Sequence, residues 1–127
     1  MIECKGCTAN VMLIKENTLY VANAGDSRCI ISLKGKAYAL STDHKPNLPS
    51  EKQRIFKAGS TISSEGRIDG NLNLSRSIGD LRYKKNKNLK PHEHSVTAFP
   101  EIKKYELKPE VEFAIIGCDG IWEIKTN

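Results

Sequence analysis

Val111-Glu112-Phe113-Ala114-Ile115-Ile116-Gly117-Cys118-Asp119-Gly120 decides how the rest of the chain is read. Its first eight residues form an almost unbroken apolar run of strand length, the pattern of a strand buried on both faces. The run ends at Asp119-Gly120, and Ile121-Trp122-Glu123-Ile124 then opens what reads as a helix. Only about two helical turns fit before Asn127, so a partial domain is expected.

Working back from this strand, Ile102–Leu107 and Ser95–Phe99 read as strands on either side of Pro100. Residues 81–95 form a basic loop, with Arg82, Lys84, Lys85, Lys87 and Lys90 against Glu93 alone, a net charge of +4 out of +5 for the chain. Leu72–Ile78 is ambiguous, and Ser75-Arg76-Ser77 at its centre suggests a short helix or a turn. A short surface helix is expected within Leu48–Gly59. Pro49 stands near its start, Glu51 in its first turn, Lys57 in its last and Gly59 just beyond. From Asn10 to Ser41 four apolar runs, Asn10–Ile14, Thr18–Asn23, Arg28–Leu33 and Lys36–Leu40, alternate with turn-forming triplets and pairs. The spacing leaves no room for crossover helices, so an antiparallel meander is expected.

The 127 residues suit one domain of about 100–150 residues, with no internal repeat or flexible linker. At 39% hydrophobic and 28% charged, the composition excludes a disordered acidic tail. No apolar run reaches the roughly 18 residues of a spanning helix. Met1-Ile2-Glu3-Cys4-Lys5-Gly6 carries no secretory signal pattern, and the four cysteines are too few and too scattered to staple the domain. An intracellular setting, cytoplasmic or nuclear, is the expectation. Cys4 and Cys7 have the spacing of half a zinc site, but no second pair accompanies them. The basic loop suits an acidic partner or a solvated surface; with only Tyr83 among its charges, it lacks the stacking residues of a nucleic-acid binder.

Two carboxylates stand out. Asp119 closes the apolar strand where the backbone turns, a position from which a hard oxygen ligand can reach Mg²⁺ or Mn²⁺. An Asx turn or helix cap explains it equally well. Asp26, in Asn23-Ala24-Gly25-Asp26-Ser27-Arg28, is by itself an ordinary turn residue. A metal role for it requires the fold to bring it beside Asp119. His44, His92 and His94 do not form a catalytic or metal-binding arrangement, and no phosphate-binding glycine loop or nucleophile elbow is present.

Several segments together resemble the type 2C, or PPM, family of metal-dependent protein serine/threonine phosphatases. They are Gly6-Cys7-Thr8-Ala9, Val21–Arg28, and Asp43-His44-Lys45-Pro46 followed by Glu51 and Arg54-Ile55. After these come Ala58-Gly59, Leu74–Asp80 with Tyr83-Lys84, Pro100-Glu101-Ile102 and Cys118–Trp122. The resemblance implies an α+β fold, a four-layer α-β-β-α sandwich of antiparallel sheets, here incomplete and corresponding to the C-terminal part of a catalytic domain. It implies Mg²⁺ or Mn²⁺, two or three ions in a complete domain, with a metal-activated water attacking phosphoserine or phosphothreonine of a phosphoprotein substrate. Asp119 and Asp26 match metal-binding aspartates. Glu123, Asp43, His44, Arg76 and Asp80 fall at supporting positions, and about 45–67 matches a mobile flap beside the substrate groove. Neither a nucleic-acid nor a membrane partner is expected.

The family's upstream Asp-Gly-His-Gly segment, a nearby acidic residue and a phosphate-binding arginine have no counterpart in these residues, and neither does a downstream aspartate. Glu123 replaces the usual aspartate after tryptophan. The resemblance therefore implies an active parent protein and a catalytically inactive isolated chain. A pseudophosphatase-type binding or regulatory domain is the alternative.

Overall fold

Leu19, Val21 and Asn23 alternate with Tyr20 and Ala22 along one strand, and the first set is buried. That period of two sends one face of each strand inward and builds the molecule around two stacked sheets. The computed structural model describes residues 5–127, so Cys4 of the Cys4/Cys7 pair lies outside the described residues. The strands are β1 (Gly6–Cys7), β2 (Ala9–Lys15), β3 (Thr18–Ala24), β4 (Arg28–Leu33), β5 (Lys36–Ala39), β6 (Ile78–Gly79), β7 (Glu101–Glu106) and β8 (Val111–Gly117). The helices are α1 (Pro49–Lys57) and α2 (Asp119–Trp122), and single 3-10 turns occupy Leu81–Lys84 and Pro91–Glu93.

All ladders are antiparallel. One sheet has the order β2-β3-β7, the second β5-β4-β8, and β1 pairs with β6 beside them. The four early strands were expected to form one meander. Instead β3 and β4 do not pair: Gly25-Asp26-Ser27 carries the chain from the first sheet to the second. Hydrophobic burial requires the switch, because Leu19 and Val21 of β3 then face Cys29 and Ile31 of β4 in one core closed by Leu40. Hairpin chemistry is kept inside each sheet. Lys34-Gly35 joins β4 to β5 with positive φ at both residues, the turn whose twist matches paired strands.

These sheets are the two central layers of the expected sandwich. Among the described residues only α2 lies against an outer sheet face, over β8, where Trp122 Nε1 donates to the Gly117 carbonyl at 2.7 Å. Gly117 permits that approach, since a Cβ there would stand 2.8 Å from Ile121 Cδ1 and 3.2 Å from Trp122 Nε1. The helix α1 instead belongs to a second small core, where Ile55 meets Ile68 and Val96.

Two further expectations are corrected. The strand β8 is not buried on both faces: Phe113 is 55% and Ile115 40% exposed. Among the described residues its one ladder partner is β4, and its outer face is covered at the α2 end alone. Ser95–Phe99 is no ladder strand; a single parallel bridge joins Arg76 to Thr97. Among the described residues only Thr97 pairs with neighbouring backbone, that of Ser75 and Ser77; guanidinium groups take the carbonyls at the segment's ends, Arg54 those of His94 and Ser95, Arg76 that of Phe99. Of the two readings open for Leu72–Ile78, the helix is not formed: the segment is irregular up to Ser77, with Leu72 bridging to Ile68 and Ser75–Ser77 running beside Thr97, and Ile78 opens β6.

Gly117→Ala is expected to displace α2 and cost about 1–3 kcal/mol, the usual range for overpacking. Urea unfolding followed through Trp122 fluorescence measures it; an unchanged midpoint would show that α2 is not held by this contact.

Candidate metal centre

In the β4–β8 ladder Arg28 faces Gly117. Asp26 and Asp119 each lie two residues beyond that pair, so both leave the same end of the same ladder. This is the juxtaposition that a metal role for Asp26 requires. The two carboxylates differ in surroundings. Asp26 is buried and ion-paired with the Lys45 ammonium, whereas Asp119 is half-buried and makes no side-chain hydrogen bond or ion pair with any described residue.

The turn holding Asp26 is built from several directions. Gly25 has φ of +125°, and a Cβ there would stand 2.4 Å from Thr8 Cγ2 and 3.1 Å from the Arg76 carbonyl oxygen, so only glycine fits. His44 clamps this residue: its backbone N–H donates to the Gly25 carbonyl at 2.9 Å, and its Nδ1 accepts the Gly25 N–H at 3.2 Å. Nδ1 is thereby the acceptor, which leaves the proton of the neutral ring on Nε2. Nε2 is buried without a hydrogen-bond partner among the described residues, 3.7 Å from Glu101 Oε2. Burial first, and Arg76 second, hold the His44 pKa below 6.5, outweighing Glu51 and Glu101. Asn23 completes the turn by donating to the Gly25 and Thr42 carbonyls at 3.0 and 2.8 Å.

The remaining sequence-derived positions fall in four places. Asp43 takes a two-pronged hydrogen bond from Arg28, Nε at 2.9 Å and Nη2 at 2.8 Å, and Arg28 lies over the Trp122 ring. This ties the residue before His44 to the start of β4. Asp80 is further off in the fold, beside β1 and β6, accepting from Ser77 Oγ at 2.6 Å. Glu123 is exposed and joins no side-chain cluster.

Arg76 belongs to a buried group whose centre, Glu51, has no role assigned in the sequence analysis. Glu51 is 1% exposed and accepts from Arg76 Nη2 at 2.6 Å, Ser75 Oγ at 2.6 Å and Arg54 Nη1 at 2.8 Å. Burial is the largest influence and pushes its carboxyl up. The Arg76 and Ser75 hydrogen bonds and the Arg54 charge together outweigh it and hold the pKa at about 2, against an ordinary 4.5. The three-residue spacing of Glu51 and Arg54 on a helix is a visible pairing signal. Nothing in the sequence joins Glu51 to Arg76, or Lys45 to Asp26.

Aspartate oxygens fit Mg²⁺ or Mn²⁺ in kind. In number they fall short, since among the described residues no group of three or more His, Cys, Asp or Glu side chains is placed to hold a metal ion.

The family model described as protein phosphatase 2C matches residues 2–127. The chain belongs to the protein phosphatase 2C family. It is 52% identical over 118 residues to a Paramecium tetraurelia protein named protein phosphatase 2C 1, covering 93% of this chain and 39% of that protein. It is 53% identical over 125 residues to protein phosphatase 2C homolog 2 of Hypocrea jecorina, covering 98% of this chain and 28% of that protein. The crystal structure of a Toxoplasma gondii phosphatase superposes with a TM-score of 0.76 at 39% identity, over 84% of this chain and 33% of that one. The chain thus spans well under half the length of these protein phosphatase 2C relatives. Its sheets are part of the family fold, and the incompleteness of the donor set agrees with that partial span.

Glu51→Ala would leave two partly buried guanidinium groups without their carboxylate and is expected to cost about 3 kcal/mol, the low end for a broken buried pair. Because the folded-state pKa is depressed, the stabilisation is present above pH 4.5 and is lost as pH falls from there toward about 2. Urea midpoints measured down this range should fall for the native chain and start lower and run flatter for Glu51→Gln; parallel curves would contradict the assignment.

Proposed function

We propose that the protein containing this chain is a metal-dependent phosphatase that hydrolyses phosphoserine and phosphothreonine in phosphoproteins. Membership of the protein phosphatase 2C family supports the reaction class. The observation that carries the site reading is the shared exit of Asp26 and Asp119 from the β4–β8 ladder, with the Asp119 carboxylate left unpartnered. A half-buried carboxylate that no protein cation neutralises is matched to a divalent ion supplied from outside. In this reading Asp119 is the principal ligand from this chain, and Asp26 contributes once Lys45 gives up its oxygen. Bound Mg²⁺ or Mn²⁺ would supply a water of lowered pKa and neutralise charge on the phosphoryl oxygens. His44, Gly25 and Asn23 fix where Asp26 points, and Arg28 with Asp43 fixes the segment leading into residues 45–67, the proposed flap. Glu123 takes no part in this reading.

The isolated chain is expected to be inactive, because two carboxylates do not hold a two-metal centre. The ion pair of Lys45 with Asp26 favours a second reading, a pseudophosphatase-type domain in which an ammonium group stands in for the metal.

Phosphopeptide turnover in millimolar Mn²⁺ separates these readings. In the full-length protein Asp119→Ala is expected to lower kcat/KM roughly a hundredfold or more, a loss typical of weakened metal ligation. The isolated 127 residues are expected to show no turnover above their own Asp119→Ala control. Turnover of the full-length protein that ignores Asp119→Ala would remove the metal assignment, and no turnover at all would favour the binding-domain reading.

A further inference from the structure

The basic loop has no part in the site just described, yet it closes a cavity. Ser50, Gln53, Arg54 and Lys57 recur along α1 at helical spacing and form one wall; His92 and Glu93 of the Pro91–Glu93 turn stand opposite. The cavity measures about 280 Å³. That is just below the range of roughly 300–1,000 Å³ usual for small-molecule sites, so it suits one side chain of a peptide better than a nucleotide or cofactor.

Its charge is set by groups already accounted for. Arg54 forms part of the wall, and its partner Glu51 is shared with Arg76, so the buried trio carries one positive charge in excess while Glu51 remains ionised. The Lys57 ammonium of the lining has no carboxylate partner among the described residues, and neither do those of Lys87 and Lys90, which sit on the adjoining loop outside the lining. Glu93 is the one acid in the lining, and its carboxylate is turned back onto the Lys90 backbone N–H at 2.7 Å. Arg54 is held by the carbonyls of Ser75 at 2.7 Å and His94 at 3.0 Å, so the positive wall is rigid rather than adjustable.

We propose that this cleft between α1 and the Pro91–Glu93 turn is a docking subsite for a phosphorylated residue of the protein substrate, separate from the residue being hydrolysed. The partner's identity as a substrate rests on the phosphatase reading; the preference for a doubly charged phosphate side chain rests on the cleft alone. Lys45 reaches Asp26 through its side chain and Ser50 follows it by five residues, at most about 18 Å of chain, so a short extended stretch of substrate is long enough to span the two. The subsite therefore favours substrates with clustered phosphorylation over those with a single modified residue.

The test is fluorescence anisotropy with a short labelled Ser/Gly/Ala peptide bearing one phosphoserine, titrated with the 127-residue chain in EDTA. Its unphosphorylated twin and an oligothymidine are run beside it. The phosphopeptide should bind, and Lys57→Gln combined with Lys90→Gln should weaken it roughly fivefold, the sum of two exposed charge contacts. Lys34→Gln, on the β4–β5 turn, should leave binding unchanged, and the twin should bind weakly to every variant. Equal affinity across all variants, or equal affinity for the twin, would overturn the proposal. So would tighter binding of the oligothymidine with the same lysine dependence, which would make the surface a nucleic-acid site. The chelator keeps this titration independent of turnover. Retained binding beside an inactive full-length protein would count against the phosphatase reading alone.

Discussion

A carboxylate shut away from water must be answered by cations and hydrogen-bond donors, and Glu51 is answered by two arginines and a serine from separate parts of the chain. Arg54 comes from the same helix, whereas Ser75 and Arg76 come from a stretch with almost no regular structure. The two guanidinium groups reach on to the carbonyls of Ser75, His94, Ser95 and Phe99. Residues 72–77 and 94–99 therefore hold their shape without ladders. The same group fixes the Arg76 backbone against Gly25, and so the turn that carries Asp26. Packing of Ile55, Ile68 and Val96 excludes the water that would otherwise weaken these bonds.

The second organising feature is the passage from one sheet to the other at Gly25-Asp26-Ser27. It places an acidic side chain at a sheet end for a reason unrelated to chemistry, since the chain must turn there to bury Leu19 and Val21 against Cys29 and Ile31. The register of β4 with β8 then brings the end of the last strand to the same edge. Function uses a corner that packing had already made. The outer faces tell the complementary story: Val11, Leu13 and Ile102 stand about 60% exposed on one sheet, as Phe113 does on the other. Apolar surfaces of this kind are suited to being covered by a further layer, and the chain matches only part of its relatives' length.

Much of the fold was legible. Period-two runs between turn residues located β2 to β5 and β7 to within a residue or two, and proline and glycine bracketed α1. Reading failed where a residue's partner was remote. The apolar run of β8 promised burial on both faces, but apolar character records what a strand is suited to meet, not what covers it. Ser95–Phe99 has strand composition, yet side-chain donors replaced its ladder. Of the site, Asp26 and Asp119 were visible as residues of the right type in turns. Lys45 and Glu51 passed without assigned roles, because an ion pair between distant residues leaves no spacing to detect.

The sequence by itself determined the longer strands, the short helix, most turns and the family, because those depend on local backbone preference, on the period of apolar residues and on motifs kept in order. Tertiary structure alone decided that β3 and β4 part company, that Asp26 is held by an ammonium group while Asp119 is left open, and that a buried glutamate ties three irregular segments together. Each of these depends on which groups meet across space when water is expelled. Electrostatic pairing in a buried setting is governed by distance and desolvation, and neither quantity is written along the chain.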